Sequence, residues 1–386
     1  VPVEQLEVVS KSEGEPDLGR RAAVISLHFS AAHASHMIAI ARLLGELGFA
    51  VTFILDERYL SFADFAAAGE AVGSRGVKKS QGETFDLAVF CNSSPGNRRL
   101  GRLLRARGSS VVYIFHEPES IANLRHEGWR QMIRFPFSTY CSIATLRLSS
   151  AVIVPSACAR ALYERHFLAY NRNVHIMPLL FEDEIAPARP EQMRYKKRFF
   201  GFVGTACKSH GFDAFIAFAK YAIANGSTIQ FTVATSVDLT PLLRVDKELS
   251  ALVRDGGIEI QHGRIMSNDE INGFYLKSFC VWNVYRRSTQ SGVLPRALMA
   301  GTPVLASRIG SFPEYIREGK TGEFVGSPDD PAAILEVVER MRQDASGYVD
   351  RCREAFLETF HYQANGNRLA TILDSVCPRP SRMRVA

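Results

Sequence analysis

Residues able to grip or move charge collect in a few short stretches of this chain, and each suits a definable chemistry. Between Tyr285 and Val325 the sequence reads YRRSTQSGVLPRALMAGTPVLASRIGSFPEYIREGKTGEFV. Gln290, Ser291 and Gly292 stand where a short helix over 293–300 should start, with Val293 its first residue. The N–H groups of such a start are unpaired and lie at the positive end of the helix dipole, a seat suited to phosphate. Gly310 lets a second loop approach the same crevice. Another stretch, Gly201-Phe-Val-Gly204-Thr205-Ala-Cys-Lys208-Ser-His210-Gly211-Phe212, reads as strand, glycine loop and helix start, with Lys208 and His210 able to carry positive charge. His116 ends the apolar run Val111-Val-Tyr-Ile-Phe and precedes Glu117-Pro118, the position of a polar residue at a strand's carboxyl end that lines a cleft. Ser30 and His33 follow the first apolar run in the same way. His33 and His36, three apart on a helix, could suggest a metal pair, but no third ligand stands nearby and no metal site is expected.

Loops can pool such residues only if a scaffold brings their ends together. Apolar runs alternate with helical segments almost throughout, which argues for parallel α/β architecture. Strands are expected over 22–29, 50–55, 87–91, 111–115 and 151–155, with a helix over 35–47 ending at Gly48. The stretch 178–190, two prolines around mostly acidic residues, reads as an interdomain linker. A fresh run follows: strand 199–203, helix 213–225, strands 228–235 and 258–262, helix 268–277, strand 281–284, then the 293–300 helix and strand 304–307. The expected division is a loose polar tail over 1–20, domains over 21–182 and 191–360, and a final segment over 361–386.

The length of 386 residues, 46% hydrophobic and 22% charged, suits two soluble domains, each with its own core. No apolar run approaches the ~18–20 residues needed to cross a bilayer. The cysteines at 91, 141, 158, 207, 280, 352 and 377 form no C-x-x-C pair and read as reduced thiols of a cytoplasmic protein. A net charge of +6 is too mild to imply nucleic acid. It is unevenly spread: Arg98, Arg99, Arg102, Arg105 and Arg107 cluster around Leu100, Leu103 and Leu104, and Trp129, Arg130, Arg134, Phe135 and Phe137 mix cations with aromatics. Such a face is either solvated helix surface or a contact for anionic lipid headgroups at the inner face of the cell membrane. H-E-x-x-H, P-loop and G-x-G-x-x-G patterns are absent, leaving metalloprotease, NTPase and standard dinucleotide readings without support.

Ala300-Gly301-Thr302-Pro303-Val304, Gly310 with Pro313-Glu314, and Gly319-x-Thr321-Gly322 together resemble the nucleotide-sugar-binding signature of family-4 glycosyltransferases, which are retaining enzymes. The resemblance implies the GT-B fold: two Rossmann-like α/β/α domains facing across a cleft, with a C-terminal helix, after Phe360-His361-Tyr362, crossing back to the N-terminal domain. It implies a nucleotide-diphosphate sugar (UDP- or GDP-linked) as donor substrate, no required cofactor, and a glycan or lipid-linked acceptor. The 201–212 stretch is similar to the family's G-R…K-G element, whose Arg and Lys grip the diphosphate. Here Thr205 replaces the Arg, and either Lys208 or His210 could stand for the Lys. By the same resemblance His116 contacts the transferred sugar, Lys208 neutralises the leaving group, and Ser30, His33 and Glu117 face the acceptor. Gly204, Thr205, Lys208, His210, Gln290, Ser291, Gly292, Val293, Arg296 and Glu314 make the expected donor set. The family's E-x7-E pair is missing. Aligned on Gly301, its positions hold Ser288 and Arg296; aligned on Leu294-Pro295, Gln290 takes the first. Arg296 is then either exposed helix surface or a replacement diphosphate contact, and Glu314 either bonds its own loop or touches sugar or ribose. An epimerase or hydrolase of the same fold, or a silent glycan- or nucleotide-binding protein, stays open beside transfer.

Overall fold

The computed structural model describes residues 19–61, 65, 71–72, 83–118, 129–185 and 197–377. Short apolar runs without in–out alternation need cover on both faces, the condition met by a parallel sheet between helices. Strands β1 (Arg20–Ser26), β2 (Phe49–Leu55), β3 (Ala71–Val72), β4 (Leu87–Phe90), β5 (Ser110–Ile114), β6 (Ala151–Val154) and β7 (Val174–Ile176) form a seven-stranded sheet in the order β3-β2-β1-β4-β5-β6-β7. Strands β8 (Phe199–Val203), β9 (Gln230–Ala234), β10 (Ile258–Gln261), β11 (Ser278–Asn283), β12 (Val304–Ser307) and β13 (Gly322–Val325) form a six-stranded sheet in the order β10-β9-β8-β11-β12-β13. The described pairings are parallel in both sheets. This is the expected pair of Rossmann-like α/β/α units.

Each sheet grows outward from its first strand and then turns back. After β3 the chain returns to the other side of β1 with β4; after β10 it returns to the other side of β8 with β11. The connections leaving β1 and β4, and those leaving β8 and β11, therefore diverge. Between them a crevice opens at the carboxyl ends of the strands, the place where open α/β sheets bind ligands.

The expected strand over 22–29 stops at Ser26. Beyond it the backbone is held as a loop: Asn92 Nδ2 donates to the His28 carbonyl (2.6 Å), and the Ser30 N–H donates to Tyr59 Oη (2.8 Å). Polar partners thus replace the sheet where the chain enters the crevice. The final helix, Gly366–Val376, buries Leu369, Ile372 and Leu373 in the same core as Val24, Met37 and Leu87 of the first unit. Arg20 donates to the Cys377 carbonyl (2.6 Å) and Ser110 Oγ to the Val376 carbonyl (2.5 Å), tying its end there. The helix does cross back.

The stretch read as a loose linker is packed over its described part. Leu180 and Phe181 are buried, the Phe181 N–H donates to the Phe360 carbonyl (2.9 Å), and the Tyr362 N–H donates to the Phe181 carbonyl (3.0 Å). The two crossings between units are thus bonded to each other, and Asp183 pairs with Arg353 beside them. Residues 186–190 lie outside the described residues, as do 1–18 of the expected tail and 378–386.

Candidate active site

The two crevices face each other and share one cleft of about 740 Å³. The first unit lines it with the loops after β1 (His28, Ser30, His33), β4 (Asn92, Ser94) and β5 (His116, Glu117). The second lines it with Ser209 and His210 after β8, and with Arg287, Ser288, Thr289 and Gln290 after β11.

On the first wall His116 follows β5 and is buried, its ring 4.3 Å from that of His33 and 5.3 Å from that of His36. The Leu180 N–H donates to His36 Nδ1 at 2.8 Å, which places the His36 proton on Nε2. Burial lowers the pKa of His33 to about 4, with His28 adding, and that of His36 to about 4, with His33 adding and the Leu180 backbone opposing. Burial, then His33 and His36, hold His116 well below the usual histidine range. All three imidazoles are therefore neutral at pH 7. Both ring nitrogens of His116, Nδ1 of His33 and Nε2 of His36 are buried with no hydrogen-bond partner among the described residues. The cluster is a stack of neutral rings presenting polar edges. Among the described residues no group of three His, Cys, Asp or Glu side chains could hold a metal ion.

The second wall is stitched together. The Ser209 carbonyl accepts from the N–H groups of Arg286 (2.9 Å) and Arg287 (3.2 Å), and Trp282 Nε1 donates to the His210 carbonyl (3.2 Å). The His210 ring stacks on Tyr285 (4.4 Å, 11°) with Nδ1 3.1 Å from the Thr205 carbonyl, so Nδ1 is the donor. Burial works against charge on His210, but Cys207, the Thr205 carbonyl and Glu117 outweigh it and raise its pKa. Gly310 (φ 57°) brings its loop against this wall, since a Cβ there would overlap the Ser288 carbonyl. Gly204 (φ 130°) stands opposite the start of the Val293–Met299 helix; a Cβ on it would lie 3.5 Å from Val293 Cγ2.

The expected site residues divide sharply. Ser30, His33, His116, Glu117, His210 and Gln290 line the cleft together. Gln290 Oε1 is buried with no partner among the described residues. Ser291 caps locally, its Oγ accepting from the Val293 N–H (3.2 Å), and Gly292 has no atom within 4 Å of where a Cβ would stand. Lys208 and Thr205 are exposed and are not among the lining residues, so His210 rather than Lys208 is the basic side chain of this loop that reaches the cleft.

Arg296 and Glu314 require correction. Arg296 is neither free surface nor a diphosphate contact. It points into the hinge, where its guanidinium bonds Glu184 (3.2 Å), Asn272 (3.0 Å), Asn268 (2.7 Å) and Ser35 (2.5 Å), leaving no fork for a ligand. The Glu314 side chain does not bond its own loop but reaches the other unit. Its carboxylate accepts the N–H groups of Ala157 and Cys158 (both 2.7 Å), capping the Ala157–His166 helix of the other unit. A carboxylate there meets the unpaired donors and positive end of that helix, which makes it an interdomain cap. Arg287 and Thr289 were not expected in the cleft, and Ser288 was noted only as the residue at the first position of the missing E-x7-E pair. Their place between a strand end and the phosphate-type loop was the hint for all three.

Residues 197–344 match the model of the family described as "Glycosyl transferases group 1". No curated protein sequence matches the chain. Among solved structures, HepE of Anabaena, in complex with UDP, is similar over 92% of this chain and 100% of its own (12% identity, TM-score 0.68). Sucrose-phosphate synthase from Thermosynechococcus elongatus aligns over 92% and 98% (14% identity, TM-score 0.63). The catalytic domain of starch synthase IV from Arabidopsis thaliana, bound to ADP and acarbose, aligns over 93% and 99% (8% identity, TM-score 0.64). At these identities the structural likeness speaks for the fold, and the family match speaks for the second unit, where the stitched wall is built. The second unit thus matches a group 1 glycosyltransferase domain over residues 197–344, and the chain as a whole has the GT-B fold.

Proposed function

We propose that the chain moves a hexose-type sugar from a UDP- or GDP-linked donor to a glycan or lipid-linked acceptor, with retention and without a required metal. The observation that carries this reading is the chemical asymmetry of one cleft. Its second wall offers Arg287, His210 and glycine-bordered loops; its first offers neutral imidazoles with unused polar edges. A diphosphate belongs against the former and a sugar, all hydroxyls and no charge, against the latter. Structural neighbours solved with UDP, UDP-glucose or ADP support the donor class.

In this arrangement Gln290 Oε1 accepts from a sugar hydroxyl and His116 bonds another across the cleft. Ser291 and Gly292 border the phosphates, and Gly292 has room for them. Ser30, His33 and Glu117 face the acceptor. The departing diphosphate oxygen takes the acceptor proton on the same face, so no carboxylate nucleophile is needed. Incubation with a panel of UDP-, GDP- and ADP-sugars and simple acceptors, followed by anomeric NMR, tests the reading. Transfer with retained configuration supports it; inversion, epimerisation or hydrolysis alone overturns it.

The proposal places the enzyme in the cytoplasm, peripheral at the inner face of the membrane, in surface polysaccharide or glycoconjugate synthesis. Among the described residues no helix is long and apolar enough to cross a membrane. The helix Pro95–Ala106 buries Leu100 and Leu104 and exposes Arg98, Arg99, Arg102 and Arg105. Arg98 donates to Tyr140 Oη (2.6 Å) on the helix Trp129–Leu146, where Phe137 and Tyr140 are more than half exposed. Cations around exposed aromatics suit anionic headgroups. The side chains of Trp129, Arg130 and Arg134 lie outside the described residues.

A further inference from the structure

A leaving diphosphate needs a cation, and the family's usual arginine position holds Thr205, which is exposed. We infer that Arg287, assisted by His210, is the diphosphate-holding cation, and that Glu117 on the opposite wall is an internal counterion that a donor displaces. The inference rests on the reading that this cleft binds a nucleoside diphosphate.

Of the other cations near the second wall, Lys208 is exposed outside the cleft and the rest are already engaged. Arg286 is mostly buried between Asp213 and Asp329. Arg296 is held in the hinge by Glu184, Asn268, Asn272 and Ser35. Lys197 is half-buried, donating to Thr302 Oγ1 (2.5 Å) and the Ala300 carbonyl (3.1 Å). Arg308 pairs with Glu318 (2.7 Å) and lies over the Phe324 ring. Among the described residues lining the cleft, Arg287 is the sole Lys or Arg.

Its position is built. The Ser209 carbonyl holds its N–H at 3.2 Å, and the neighbouring Ser288 is pressed by Gly310 from behind. The His210 ring, on the same wall, is fixed by Tyr285 and Thr205. A half-buried guanidinium loses hydration, and burial does lower the pKa of Arg287, but a group so basic stays charged. Glu117 offsets that loss. It follows His116 directly, lines the same cleft, and its charge favours the protonated forms of both Arg287 and His210. A diphosphate carries more charge than one carboxylate and fits the guanidinium fork, so it wins the exchange. Glu117 is then released beside His116, on the acceptor side.

The test is calorimetric binding of UDP and of inorganic pyrophosphate to the full chain and to Arg287→Gln, Glu117→Gln and Lys208→Ala. Arg287→Gln should weaken both ligands by about tenfold or more, the usual effect of losing a charge-assisted contact. Glu117→Gln should tighten both by about two- to fivefold, since it removes a competing partly exposed ion pair. A gain in affinity cannot arise from misfolding. Unchanged or weaker binding by Glu117→Gln overturns the inference, as does loss on Lys208→Ala with none on Arg287→Gln. In either case wild-type UDP binding leaves the functional reading standing. Failure of the wild type to bind UDP, GDP, ADP or pyrophosphate overturns both.

Discussion

The walls of the cleft follow the same topological rule yet are made chemically opposite. On the first wall, three imidazoles are packed against one another behind β1 and β5, largely desolvated and with four ring nitrogens buried and unpaired among the described residues, and so neutral. On the second, backbone groups of two loops are bonded to each other through Ser209, and the charged side chains stand in a frame that does not have to rearrange. Desolvation explains the first and preorganisation the second. Under the proposed function, the surface that cannot hold charge would discriminate among hydroxyls, and the surface that holds it in place would take the phosphates. Between them the hinge, with Arg296, Glu184 and the Glu314 cap, sets the distance at which they work.

The largest expected effect lies in that hinge. Arg296→Glu would put a second carboxylate against Glu184, whose partner side chain is 12% exposed and itself 17% exposed. Breaking a buried pair of this kind costs about 3–5 kcal/mol, so the variant should melt well below wild type; a variant as stable as wild type, with restored donor affinity, would return Arg296 to the donor site.

Acid should act next, and on the first wall. His33 and His36 have folded pKa values of about 4, below the unfolded value of about 6.5, so the unfolded state binds more protons in that window. Their neutral packing contributes fully above about pH 6.5, and stability falls as the pH drops towards 4, by on the order of 5 °C in melting temperature. His36→Gln should flatten the slope. A melting curve independent of pH across the window would mean that the rings are solvated.

His116→Ala sharpens the same contrast. With no partner to orphan, it should melt within a few degrees of wild type while transfer falls about ten- to a hundredfold, the usual value of a lost polar contact. A markedly unstable variant, or a stable and fully active one, would remove His116 from the sugar subsite. The smallest effect is outside the cleft. Replacing Arg98, Arg99 and Arg102 with Ser should lower co-sedimentation with anionic liposomes by about 1 kcal/mol per cation, with no loss of thermal stability. Binding that ignores both salt and these substitutions would leave the face merely solvated.

Local chemistry was readable in the sequence; partnership over distance was not. Strand β8 and the helix Asn268–Lys277 match expectation to the residue because their signals are local. The strand is an apolar run closed by Gly204, and the helix has a capping box between Ser267 and Glu270. Strand β7 was missed because three residues carry no periodicity. Arg296 and Glu314 were misplaced because their partners lie 112 and 157 residues away. Lys208 and His210 look alike as loop cations, and the Tyr285 ring decides which one turns into the cleft. Arg286 and Arg287 are adjacent and identical in type; Asp213 and Asp329, both remote in sequence, hold the first, while the second lines the cleft near Glu117.

A structure of the chain bound to UDP or a UDP-sugar tests the central claim most directly. The account predicts the diphosphate against the Gly204 and Arg287–Gly292 loops, within hydrogen-bond distance of the Arg287 guanidinium, with the sugar directed at His116. A diphosphate lying beyond hydrogen-bond reach of those loops would contradict it.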